Sequence, residues 1–182
     1  MHASFYAARW GEFNLPAFPL RLATLDIPLR DAFFVGAGFA YVLVPNFDFP
    51  FGLFTASGCD LEIEAQVLQH FGSQRHAEVS TALVIRTGNA TLFDTIDLNF
   101  AFGEGLSWAL AKPRYEKGPE GRRGDDSRHF QNHLMFELEF TLRSVPRTHL
   151  VLRLHHRSGV YGLISPQRTG SNFLGIGLRN SL

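Results

Sequence analysis

The stretch from 61 to 71, LEIEAQVLQHF, places Leu61, Ile63, Ala65 and Val67 on one side of an extended chain and Glu62, Glu64 and Gln66 on the other. Period-two alternation with full charges in mid-segment rules out a strand packed between two apolar layers, because an unpaired charge there is strongly disfavoured. The pattern recurs along the chain and predicts eight strands. They fall at Ser4 to Trp10, Phe33 to Val44, Leu61 to Phe71, Ala77 to Arg86, Ile96 to Leu110, Leu134 to Leu142, a segment starting at Thr148, and Asn172 to Leu182. The sixth, LMFELEFTL, opposes Leu134, Phe136, Leu138, Phe140 and Leu142 to Glu137, Glu139 and Thr141. With 18 Phe and 17 Gly among 182 residues, the composition favours β-structure with tight bends over a helical bundle.

Two architectures produce this alternation. A soluble sandwich or lipocalin-like barrel turns the apolar rows inward, and a membrane barrel turns them outward. No run of about 18 apolar residues exists, so a transmembrane helix is excluded, whereas a strand crosses with only about ten alternating residues. An even strand count, long apolar rows, and Trp10, Trp108 and Tyr161 near strand ends favour the membrane form, with those rings in an interfacial girdle. Connection lengths alternate less regularly. PNFDFPFGLFTASGCD after the second strand is long for a periplasmic turn, and GSQRHAE after the third is short for an external one. The expectation is an all-β, eight-stranded antiparallel up-and-down transmembrane β-barrel comprising residues 1–182 as one domain.

Charge narrows the partners. Basic and acidic residues balance at 17 each, which leaves no electrostatic footprint for nucleic acid. Cys59 has no second cysteine to pair with and no acid or His beside it in a nucleophile motif. The opening MHASFYAARWG lacks the basic and apolar regions of a secretion signal, as expected of a cytosolic chain or a mature form carrying an added Met. The segment 112–128 is read as a solvated external loop, where Arg114, Arg122 and Arg123 could meet lipopolysaccharide phosphates.

The chemistry concentrates in LVLRLHHRSGVYGL, residues 150–163. His156 and Ser158 continue the row of Leu150, Leu152 and Leu154, and Asn172 opens the row of Leu174 and Ile176 on the next strand. A hairpin therefore clusters Ser158, His156 and Asn172 on the apolar exterior of the barrel. Acyl transfer needs that kind of set: a hydroxyl, a base within reach, and a third group orienting the base. Polar residues where an apolar strand face meets water account for the same letters, and His155 falls on the opposite, interior face.

The segments SFYAARWGEF, LMFELEF, RLHHRSGVYGL and GSNFLGIGLRNSL, in this order along most of the chain, resemble the outer-membrane lipid A 3-O-deacylase family, also labelled acyloxyacyl hydrolase. The resemblance implies an eight-stranded barrel in the bacterial outer membrane. It also implies a Ser158 nucleophile and a His156 base facing lipid, hydrolysing the 3-position acyl ester of lipopolysaccharide without metal or cofactor. Two positions depart from the family pattern. Gly159 stands where the family has an oxyanion-holding Asn, so it offers only a backbone N–H, and Asn172 stands where the family has Glu. Leu182 also replaces a terminal aromatic. The rival expectation is a non-catalytic structural or adhesive outer-membrane barrel. The alternation leaves open whether the chain works alone or as a homodimer.

Overall fold

The computed structural model describes residues 1–52, 54–116, 127–166 and 169–182, without the side chains at 51 and 54. The strands are β1 (His2–Gly11), β2 (Leu29–Phe51), β3 (Phe54–Gly72), β4 (Ala77–Arg86), β5 (Ala90–Leu92), β6 (Ile96–Ala109), β7 (Phe130–Leu142), β8 (Thr148–Ser158) and β9 (Gly170–Ser181). All pairings are antiparallel. Neighbours run β4-β3-β2-β1-β9-β8-β7-β6, and pairing of β4 with β6 closes the ring. The three-residue β5 is a side hairpin on β6 and does not enter the wall, so among the described residues eight long strands form the barrel.

The wall has the polarity of a barrel that meets lipid. Phe5, Val67, Val79, Leu83, Leu152 and Ile176 stand exposed on the outside, while Glu62, Glu64, Glu137, Arg153 and Arg179 are buried inside. This is the reverse of what the lipocalin-like alternative requires. The interior charges are tolerated because they are paired. Arg153 grips Glu64 through both terminal nitrogens (2.7 and 3.0 Å) and Glu137 through Nε (2.6 Å). Arg86 joins Glu137 (2.8 Å) to Glu139 (3.2 Å), and Arg179 joins Glu139 (2.9 Å) to Glu62 (2.6 Å). Two-point guanidinium–carboxylate contacts are the strongest ordinary ion pairs, and here they cross the lumen and tie opposite walls together. Tyr6 adds its ring face to Arg153, 4.8 Å away.

Leu152 lies mid-strand on the outer face of β8. Leu152→Arg is expected to lower stability in lipid vesicles by about 2–4 kcal/mol, the cost of a cation at the bilayer midplane. Urea titration of the vesicle-inserted barrel measures it, and an unchanged midpoint would mean that this wall does not contact hydrocarbon.

Three expectations change. PNFDFPFGLFTASGCD is not a loop: β2 and β3 run on past the barrel as a bulged hairpin, with Phe47 opposite Cys59 and Phe49 opposite Ala56. Pro45 and Pro50 look like breakers in the sequence, but Pro45 falls in a bulge and Pro50 lies beyond the part of β2 that pairs with β1, and a sheet accepts proline at bulges and edges. Trp10 leaves the girdle position: it is buried inside the barrel mouth with its ring 5.0 Å from that of Tyr115. Trp108 does stand outside, half exposed.

The third change concerns 112–128. Its described part does not float in solvent, because Glu116 turns into the lumen and is fully buried. There it accepts hydrogen bonds from Arg157, Ser127 (3.0 Å) and Gln131 (2.8 Å). Arg114 is exposed, and Arg122 and Arg123 lie outside the described residues.

Candidate active site

The site sits at the rim farthest from the termini, on the outside of the wall. β8 and β9 pair so that His156 faces Asn172 and Ser158 faces Gly170. Their parity with Leu150, Leu152, Ile176 and Leu178 carries the three polar side chains onto the apolar exterior. Arg157 between them points the other way, into the lumen, where Glu116 and the carbonyl of His129 (3.0 Å) hold it. That grip fixes the end of β8 from inside and limits how His156 and Ser158 can shift. Burial pushes the Glu116 carboxyl up to about 7 while the Arg157 guanidinium pulls it down.

His156 and Asn172 meet directly, with Nδ1 2.7 Å from Oδ1. A neutral amide oxygen only accepts, so Nδ1 carries the hydrogen and Nε2 keeps its lone pair. The other end of the amide is also engaged: Asn172 Nδ2 donates to the carbonyl of Phe13 at 2.5 Å. Phe13 belongs to the connection between β1 and β2, which contains a short helix, α1 (Phe18–Ala23). One amide thus orients the imidazole and anchors this segment. A carboxylate could do only the first, having no hydrogen to donate. His156 and Ser158 are partly exposed and Asn172 is buried.

Gly159 is placed differently from a free oxyanion donor. Its N–H points to the carbonyl of Thr169 at 3.3 Å, a long bond. A Cβ built on Gly159 would come within 2.4 Å of both the carbonyl oxygen and the hydroxyl of Ser165, so the position of Ser165 excludes any side chain there. The asparagine of the family pattern could not occupy this position without moving that loop.

Two polar residues that the strand pattern did not single out extend the exterior patch onto β6 and β7. Asn132 pairs with Ser158 across β7 and β8, and its amide donates to Glu104 and to the carbonyl of Gly105 (3.0 Å). Glu104 shares the outward row of Phe102 and Leu106. A carboxylate within such a row is costly in lipid and marks a functional candidate. The signal was present in FGEGLSW, where Glu104 breaks an apolar row, but only register shows that it lies near Ser158. Along the same exterior, toward the termini, small Ala7 and Ala37 leave a shallow apolar depression bordered by Phe5, Val35, Val67 and Ile176. His155 faces inward, with Nε2 3.0 Å from Glu78.

No family model and no curated protein matches the sequence. Among solved structures, the outer membrane enzyme PagL matches over 100% of both chains with a TM-score of 0.65 and 10% identity. At that identity the likeness is one of fold.

Proposed function

We propose that the chain is an outer-membrane serine esterase of the lipid A deacylase type, which removes an ester-linked acyl chain from lipopolysaccharide in the outer leaflet. The carrying observation is the bond of 2.7 Å from His156 to Asn172 on the lipid-facing wall, one row from Ser158. The rim bearing 159–169 then faces the cell exterior and the termini face the periplasm, which puts the reactive group at headgroup level.

His156 Nε2 takes the hydroxyl proton as Ser158 Oγ attacks the ester carbonyl. The tetrahedral intermediate collapses, and His156 returns the proton to the departing sugar hydroxyl. Water, deprotonated by the same imidazole, then frees the fatty acid from Ser158. One donor can serve the developing oxyanion, the Gly159 N–H once it leaves Thr169, whereas the Asn132 amide beside Ser158 spends both hydrogens on Glu104 and Gly105. The depression at Ala7 and Ala37 suits an acyl chain lying along the wall.

Asn172 supplies orientation without charge, so its effect is smaller than that of a carboxylate. Asn172→Ala is expected to lower kcat about 10–100-fold, because both the imidazole and the Phe13 segment lose their anchor. Asn172→Asp restores a charge facing the imidazolium but sets it against the Phe13 carbonyl. A gain in kcat therefore accompanies lower thermal stability; turnover assays and melting curves on both variants measure the pair of effects.

The missing charge also supports a second reading, a structural barrel that has lost catalysis. Mass spectrometry of lipid A incubated with the purified, micelle-folded protein separates the two. Loss of one hydroxyacyl group supports the esterase, and unchanged lipid A supports the structural barrel.

A further inference from the structure

Inside the lumen, at the same rim but facing away from Ser158, β3 and β4 meet in the tight turn 73–76. The backbone bond from His70 N–H to the His76 carbonyl (2.8 Å) closes it and makes the two histidines cross-strand neighbours. Both rings point inward and stack, with centroids 4.2 Å apart and planes 12° from parallel. Glu78 lies two residues beyond His76 and so returns to the same inward face. This puts three donor atoms on one face of a hairpin, all within 4.8 Å of one another. In sequence the set reads His-x5-His-x-Glu.

Hydrogen bonding within the barrel leaves this set incompletely used. His70 Nε2 meets Glu78 Oε2 at 3.0 Å, but His76 Nε2 has no partner among the described residues, although the residue is only 6% exposed. Glu78 is held from the other side, where Ser107 (2.8 Å) and His155 (3.0 Å) both reach Oε1, so Oε2 faces the imidazoles. Gln74 approaches His70 Nδ1 through Nε2 at 3.2 Å and has an unpartnered Oε1. A half-turn of that amide lets Oε1 accept from Nδ1–H, the outer contact that metal-bound histidines characteristically make. Arg157 is shared between Glu116, its nearer partner, and Glu78 at 3.8 Å.

We propose that His70, His76 and Glu78 form a binding site for a divalent transition metal, with Zn2+ the fitting ion, which clips the β3–β4 turn at the distal rim. Two imidazoles and a carboxylate are a borderline donor set that selects Zn2+ and its neighbours over Mg2+ or Ca2+. Bonds of about 2.0–2.2 Å in tetrahedral array need donors about 3.3 Å apart. To reach that distance the two stacked rings must turn out of their parallel arrangement, so that both nitrogen lone pairs converge on one point beside Glu78 Oε2. The metal replaces the hydrogen shared by His70 and Glu78, leaves both imidazoles neutral, and takes a water as fourth ligand. The site lies inside the barrel and contributes nothing to ester chemistry on the outside.

The test uses the full chain folded in micelles and stripped with chelator. Calorimetric titration with Zn2+ is expected to give one equivalent per chain at micromolar or tighter Kd, and Co2+ to give the intense visible bands of a tetrahedral site. His76→Ala weakens binding at least about 100-fold, and Gln74→Ala about 10-fold as an outer contact. His149→Ala, at the opposite rim, leaves it unchanged. Retention of the folded, heat-modifiable band on electrophoresis certifies each variant, and His76→Ala decides alone if a Glu78 variant does not fold. Absence of saturable Zn2+ binding, or equal binding by folded His76→Ala, overturns the proposal.

Discussion

Replacing Ser158 with alanine is expected to reduce acyl release from lipid A to below about a thousandth of the unsubstituted rate, a loss of about 4 kcal/mol in transition-state stabilisation. The hydroxyl is the only group at this position able to form the acyl-enzyme, and water attacking without it forgoes both the covalent step and its alignment with His156. The barrel itself should not notice the change. Ser158 faces outward at the last position of β8, and the ion pairs that hold the lumen run from Arg153 and Arg157 on the opposite face. Mass spectrometry of lipid A products, together with an unchanged urea midpoint, makes the measurement. A folded Ser158→Ala protein that still releases the hydroxyacyl chain at the full rate would remove Ser158 as nucleophile.

The second large effect lies in the lumen. Glu137 bridges Arg86 (2.8 Å) and Arg153 (2.6 Å) at zero exposure of its side chain. Glu137→Ala leaves two buried guanidinium groups short of a counter-charge, and breaking such a pair from one side costs about 3–5 kcal/mol. Glu137→Gln preserves shape and two lone pairs but not charge, so it costs less. Equilibrium unfolding in micelles should rank the three proteins in that order. Equal midpoints would show that solvent entering the lumen, rather than Glu137, compensates Arg86 and Arg153.

Strand parity was legible in the sequence, and it carried most of the fold. Each glutamate of LEIEAQ and LMFELEF, read as opposite to the leucines and phenylalanines, does face the opposite side of the wall. The reason is steric: a pleated chain must alternate its side chains, whatever the tertiary context. Boundaries were less legible. The β2–β3 hairpin runs through Pro45 because a bulge there absorbs the missing N–H, and through Pro50 because β2 has by then passed its pairing with β1; both depend on partner strands. Trp10 was misplaced for a related reason. Its inward parity could be counted from Ser4, Tyr6 and Ala8, but its position near a strand end suggested a girdle, and only the approach of Tyr115 reveals the mouth it fills.

The candidate site divides in the same way. The placement of His156 and Ser158 on one face followed from their spacing alone, and Asn172 joined them because a hairpin brings consecutive strands together. Three facts needed coordinates: that Gly159 spends its N–H on Thr169, that Asn132 stands beside Ser158, and that His76 stacks on His70. Each joins strands through register or through a loop conformation.

By itself, then, the sequence determined which residues share a face, since that depends only on the two-residue repeat of an extended chain. Whether the apolar face points outward or to the lumen was decided by closure of the barrel. A ring of eight strands encloses room enough for the Arg–Glu lattice, and with the charges satisfied there the leucine and phenylalanine rows are left on the outside.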